Sequence, residues 1–191
     1  MKSNNKKLKA IKFNFNAQKA LEVIVWIAGK KTCVDVYCIL KTLFFADYYH
    51  LNKYGRTISG DSYKALPYGP VASGTYDILN EDSLAIEMAT ENSSPLPFRK
   101  ENKKDIKALR KPNLDMLSKS DIEALEHGWE TVKKYDFDFN QIKNKTHEYT
   151  AYKKAWARRG LLNTAPMDFT DFLEKKSKKM ELAQYSHLIK I

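Results

Sequence analysis

The sequence predicts a mainly α-helical (α+β) fold: a single-domain helical bundle with a small antiparallel β element after its third helix. Three observations carry this. Apolar residues recur at the helical period, as in Leu40, Leu43, Phe44, Leu51 and Tyr54. Residues that cap helices stand before such stretches, and glycines stand after them. Beyond Asn80 the period gives way to short apolar patches separated by turn residues.

Taken in order, residues 1–11 read as a flexible basic lead-in. Asn16 caps a first helix over 17–28, ended by Gly29, and Asp35 caps a second over 36–54, ended by Gly55. Gly60-Asp61 makes a turn. Gly69-Pro70 starts a third helix with Pro at its first position, where a missing N–H costs nothing; it runs to about Asn80, with Val71, Tyr76, Ile78 and Leu79 to bury. Leu84 to Met88, Phe98 and Ile106 to Leu109 supply the β element. Ser118 or Ser120 opens another helix with acid in its first turn and Ile122, Leu125, Trp129 and Val132 on its inner face. Tyr135 to Asn140 links it to a helical segment around 140–145, and 161–191 read as a C-terminal helical extension.

A chain of 191 residues, 43% hydrophobic and 12% aromatic, suits one domain with a self-sufficient core. Its longest apolar run, at 23–29, is too short to span a membrane, and the lysines near the start are not followed by a signal-peptide core, so a cytoplasmic location is expected. Cys33 and Cys38, at a helix entry, are poorly placed to bridge and read as reduced thiols. The net charge of +10 is patchy: basic clusters lie at 2–12, 99–111, 143–159 and 175–179, whereas no Lys or Arg stands between Lys64 and Arg99, and Asp77, Glu81, Asp82, Glu87 and Glu91 make that region acidic. Such patches suit solvated surface or an acidic protein partner, with nucleic-acid contact as the alternative.

The motifs with known chemistry fail on particular residues. Gly55 to Ser62 has P-loop spacing, but Asp61 stands where the phosphate-binding lysine should be, and the loop follows a helix instead of a strand. His147-Glu148 opens like a zincin motif, yet Ala151 replaces the second imidazole. The four histidines are scattered. No catalytic residue, metal ligand or cofactor is therefore assigned, and His147 reads as a packed or hydrogen-bonded residue near Trp156. Asp47 lies inside the apolar stripe, so it needs a partner: backbone donors of the glycine loop, or Arg56. It is read, with His147, as a structural polar residue. Tyr48, Tyr49, Tyr54, Tyr63 and Tyr68 crowd the same neighbourhood, and tyrosine anchors interfaces well. The candidate partner-binding residues are Tyr49, Arg56, Asp61, Tyr63 and Tyr68.

The strings LKTLFFAD, GRTISGD and ALPYGPV resemble the Panacea domain, the SocA-like antitoxin family also found among phage-associated proteins. Phe13 to Ile27 resembles that family's first helix, and KTHEYTAYKKAW at 145–156 its closing segment, so the likeness covers about residues 11–160. It implies a domain over 12–160 that acts as an antitoxin, neutralising a cognate toxin by direct protein–protein binding and without catalysis. It also implies, for some members, an adaptor role that delivers the toxin to a AAA+ protease. A DNA-binding autoregulator, a stand-alone phage-associated protein and a hydrolase acting through His147 remain as alternatives.

Overall fold

The computed structural model describes residues 11–90, 94–175, 177–178 and 181–182. Residues 1–10 of the basic lead-in, Glu91 of the acidic stretch and residues 183–191 lie outside them. Helix α1 spans Ala17–Ala28, strand β1 Val34–Asp35 and helix α2 Val36–Tyr54. The Asn16 side chain accepts from Lys19 N and the Asp35 side chain from Tyr37 N, so both helices begin where their capping residues predict. Gly55, at φ 81°, closes α2 in the left-handed conformation.

The chain then forms the hairpin β2 (Tyr63–Leu66) and β3 (Gly69–Ala72), followed by helices α3 (Ser73–Leu79) and α4 (Ser83–Ala89). Two expectations are corrected here. Gly69-Pro70 starts a strand, and the third helix begins three residues later. Proline is tolerated there because β3 is an edge strand: in its sheet it pairs with β2 alone, and β2 pairs on its other side with a short late strand at Ala165–Pro166. Leu84 to Met88 lies in α4, where Asp82 caps the helix by accepting from Ala85 N; that apolar patch belongs to a helix and not to the β element.

Phe98 and Ile106 do enter strands, β4 (Phe98–Lys100) and β5 (Asp105–Ala108), which with β1 form a second antiparallel sheet in the order β1-β5-β4. A 3₁₀ turn at Leu114–Met116 leads to α5 (Lys119–Lys134), then α6 (Phe139–His147) and α7 (Thr150–Arg158). Ser118 and Asp121 form a capping box at the start of α5. Residues 165–173 are not the helical extension expected. Ala165–Pro166 forms β6 against β2, Phe169–Asp171 makes a 3₁₀ turn, and Phe169, Phe172 and Leu173 are buried in the same core as α2. Their apolar side chains gain more from joining that core than a solvated helix would return.

Helix α2 is the axis of the bundle. Every residue from Cys38 to Asp47 is buried, so the helix is enclosed on all sides, and its main partner is α5. Gly128 sets that contact: a Cβ there would fall 2.3 Å from Thr42 O and 2.9 Å from Ala46 N. Alanine normally favours a helix interior over glycine by about 1 kcal/mol. At this position the sign reverses, and Gly128→Ala, by forcing two backbones apart, is expected to lower stability by about 1–3 kcal/mol in chemical denaturation.

Candidate functional site

The loop from Gly55 to Ser62 is held by polar groups that α2 carries into the core. Asp47 Oδ1 accepts from Ile58 N at 2.7 Å and Oδ2 accepts from the Tyr63 hydroxyl at 2.8 Å. Of the two expected partners, loop backbone is the one used. Burial pushes the Asp47 carboxyl up to about 6, against the opposing pull of those two hydrogen bonds. The same surroundings raise Tyr63 well above its ordinary value, so its hydroxyl stays a donor. Gly60, at φ 74°, passes so close to the segment before α1 that a Cβ would overlap Asn14 O at 1.9 Å.

Asp61 completes the loop from the other side. Its carboxylate accepts from Gly74 N (2.9 Å), Thr75 N (2.7 Å) and the Thr75 hydroxyl (2.8 Å), serving as the cap that α3 lacks at its own Ala72. The P-loop spacing thus serves an opposite purpose: a carboxylate takes the helix N–H groups that a bound phosphate would need. Burial raises Asp61 despite these bonds.

Arg56 pairs with Asp121 of α5 at 2.9 Å instead of with Asp47. Asp121 is fully buried and also meets Lys19 Nζ at 2.7 Å and His50 Nε2 at 3.3 Å. Burial alone would raise it, but hydrogen bonds from His50, Lys19 and Ser118 N hold it well below the usual carboxylate range. His50 donates from Nδ1 to Arg56 O at 2.7 Å, so one imidazole ties the loop to both helices.

Lys41 shows the other consequence of burial on α2. Only 1% exposed, its Nζ donates to Pro70 O at 2.7 Å and lies 4.8 Å from the Tyr37 ring centre. No carboxylate offsets its desolvation, which lowers it to about 7. Gly69, at φ 101°, lets β3 reach this amine: a Cβ there would sit 2.5 Å from Thr146 Oγ1 and 3.1 Å from Lys41 Nζ. His147, on the same side of α6, stacks on Tyr152 at 4.3 Å, and Tyr152 stacks on Trp156 at 5.8 Å. Burial, with Lys41 and Lys143 nearby, lowers the imidazole.

The five partner-binding candidates therefore separate. Asp61 and Tyr63 are 1% and 2% exposed and face inward. Arg56 is partly exposed but engaged with Asp121 and the hydroxyls of Ser118 and Ser120. Tyr49 and Tyr68 reach the surface. Tyr49 stacks on His127 at 4.3 Å and donates to Glu123 at 2.5 Å, Tyr54 donates to the other Glu123 oxygen at 2.5 Å, and Lys53 pairs with the same carboxylate. Those three donors lower Glu123 to about 2. Tyr54, expected inside the apolar stripe, is 41% exposed because α2 emerges from the core in its last turn. A shallow cleft of about 440 Å³ beside this group is lined by Phe45, Tyr48, Tyr49, His127 and Tyr149. Tyr68 is 63% exposed and meets Phe139 edge-on at 5.4 Å. Lys41, His50, Glu123 and Asp121 are the members that sequence reasoning missed. The unbroken run Cys38–Ala46, apolar except for Lys41 and Thr42, was the available signal for Lys41, since a helix hydrophobic on all faces buries whatever charge it carries.

Among the described residues no three His, Cys, Asp or Glu side chains converge on a metal-binding geometry. Nor is any helix among them long and apolar enough to cross a membrane.

Two titrations should separate the buried charges. An aspartate that ionises near 4 in the unfolded chain and near 6 when folded contributes stability that is complete below pH 4 and lost as pH rises through 6. The stability difference between wild type and Asp47→Asn should shrink over that interval by up to about 3 kcal/mol, at 1.36 kcal/mol per unit of pKa difference. A flat difference in urea melts from pH 4 to 7 would refute the assignment. Lys41 works in the other direction: the unfolded amine holds its proton to about 10.5 and the folded one to about 7, so stability rises as pH climbs between them. Wild type should gain roughly 1–2 kcal/mol from pH 7 to 8.5 relative to Lys41→Met. An equal slope in both proteins would show that the buried amine keeps its proton.

No curated protein and no solved structure matches this chain. The model of the family described as "Antitoxin SocA-like, Panacea domain" matches residues 39–156, from the second turn of α2 through most of α7, and so takes in the loop, its buried carboxylates and the surface tyrosines. With well over half of its length matched, the chain belongs to the SocA-like antitoxin family of Panacea-domain proteins.

Proposed function

We propose that this protein is a non-enzymatic antitoxin that neutralises a cognate protein toxin by binding it. Family membership over residues 39–156 carries the reading, and the surface tyrosines support it. Tyr49 and Tyr54 are already oriented by Glu123, Lys53 and His127, so a partner would not have to order them. Aromatic anchors that are rigid before contact lose little entropy on binding and make efficient hot spots. Tyr68 with Phe139 offers a second pair of exposed rings. The buried carboxylates act at one remove, since Asp47 and Asp61 fix the loop that connects α2 to the hairpin beneath Tyr68.

Co-expression with the product encoded beside this chain tests the proposal. The expected result is relief of toxicity and co-purification of a complex. Tyr49→Ala combined with Tyr54→Ala should weaken that complex by about 10- to 100-fold, in line with the loss of one or two hot-spot residues, with little change in melting temperature. Rescue that survives deletion of the host's AAA+ proteases supports direct neutralisation, and rescue lost in that background assigns the adaptor role. If no neighbouring product is toxic and none co-purifies, the antitoxin reading fails for this protein.

A further inference from the structure

We propose that the cleft between the end of α1 and the connection following β5 binds an acidic segment of a partner protein through cations held in place by side chains around it, over an apolar floor. The cleft has a volume of about 610 Å³, and its lining includes Lys30, Lys31, Lys107, Arg110 and Lys111 with no carboxylate among them. Its floor is apolar, from Trp26 to Ala108, and Leu109 stands exposed at its edge.

The walls are fixed before any partner arrives. Arg110 forms a two-point pair with the buried Glu22 of α1, at 2.8 and 2.5 Å, and Glu22 also accepts from Asn113 N at 2.6 Å. Burial would raise Glu22, but Arg110 and the Asn113 N–H hold it below its usual range, so the pair persists. Lys30 lies 3.8 Å over the Trp26 ring and pairs with Glu126 of α5 at 2.6 Å. Lys31 lies 4.0 Å over Phe137. That ring is presented by two successive residues at positive φ, Asp136 (50°) and Phe137 (57°), and packs 5.2 Å from Trp129. Lys107 faces Glu101 only at 3.9 Å, a weak exposed pairing. Two cations are thus matched by carboxylates from outside the cleft, and Lys31, Lys107 and Lys111 leave a positive excess in it.

Charge names the partner's sign, and the apolar floor narrows its class. A single nucleic-acid strand is gripped by aromatic faces open for base stacking. Here the Trp26 face is already occupied by Lys30 and the Phe137 face by Lys31. What remains free is aliphatic, in Ala108 and Leu109, which suits a peptide alternating carboxylates with leucine-like side chains. The inference does not depend on the partner being a toxin, and a peptide test succeeds or fails separately from neutralisation.

The probe is a fluorescein-labelled dodecapeptide of Glu-Glu-Leu repeats, measured by anisotropy with the full-length protein at low salt. Its Gln-Gln-Leu counterpart and a dodecamer of oligothymidylate serve as comparisons. Lys31→Glu with Lys111→Glu is set against Lys64→Glu with Lys153→Glu, all four lysines being exposed. Each pair lowers the formal net charge by the same amount, so general attraction is matched. Binding of the acidic peptide should fall by about tenfold or more in the first variant and by less than about threefold in the second. Leu109→Ser should cost about three- to tenfold, as expected for one apolar contact. Absence of binding by the wild-type protein, or equal loss in both charge variants, overturns the proposal. Oligothymidylate binding as tight as the peptide and lost in the same variant would assign the cleft to nucleic acid instead.

Discussion

Burying the middle of α2 forces the ionisable groups it carries there to find partners inside the protein, and the chief of those partners is the loop that leads from α2 into the hairpin. Three such groups lie along the helix at Lys41, Asp47 and His50. Each reaches the segment 55–72 at a different point: Pro70 O, Ile58 N with the Tyr63 hydroxyl, and Arg56 O. A loop of this length would be costly to order on its own backbone interactions. Tied at three places to buried ionisable groups, it is held in one arrangement against the helix behind it. Asp61 then carries the constraint onward by capping α3, so the geometry of α2 is transmitted to the hairpin and the next helix.

The buried charges are not equivalent, and the difference lies in what surrounds them. Asp121 is met by the cations of Lys19 and Arg56, with the His50 ring beside it, and stays ionised because those two opposite charges replace the water it has lost. Asp47 receives only neutral donors, and Lys41 only a carbonyl, so desolvation moves both toward their neutral forms. Lys41 and Asp47 lie six residues apart on one helix and give opposite pH slopes in different ranges. Their combined contribution is therefore smallest between about pH 6 and 7, where both buried groups carry charge. Asp121 adds the acid-side limit, since a carboxyl held low contributes stability above its unfolded value and loses it as pH falls.

Much of this was legible in the residues themselves. Asn16, Asp35 and Ser118 mark helix starts by a local mechanism that needs no knowledge of the rest of the chain, and Gly55 marks an end in the same way. Asp47 was readable from helical phase, because a carboxylate between Leu43 and Leu51 must be internal. Gly69-Pro70 was misread because the dipeptide suits both a helix start and an edge strand, and the choice rests on pairing with Tyr63–Leu66 and on the distant Ala165–Pro166. Leu84 to Met88 was likewise too short a run for its period to separate strand from helix, and the capping Asp82 decided it. Arg56 with Asp121 and Glu22 with Arg110 span 65 and 88 positions, and no local pattern announces such pairs.

The division between inner and outer tyrosines follows from where α2 leaves the core. Through Asp47 the helix is enclosed, so Phe44 and Tyr63 form part of a ring cluster with Phe172 and Tyr149. One turn later the enclosing elements end, and the same helical spacing that buries Leu51 sends Tyr49, Lys53 and Tyr54 to the surface beside Glu123 and His127 of α5. Surface and core are therefore mechanically continuous. A change at Asp47 or Asp121 alters the footing on which the exposed rings stand, whereas a change at Tyr49 leaves the core's hydrogen bonds intact. Loss of binding accompanied by loss of stability belongs to the first class of residue, and loss of binding at unchanged stability belongs to the second. That contrast, more than the position of a residue in the chain, distinguishes the groups that build this domain from those it presents to a partner.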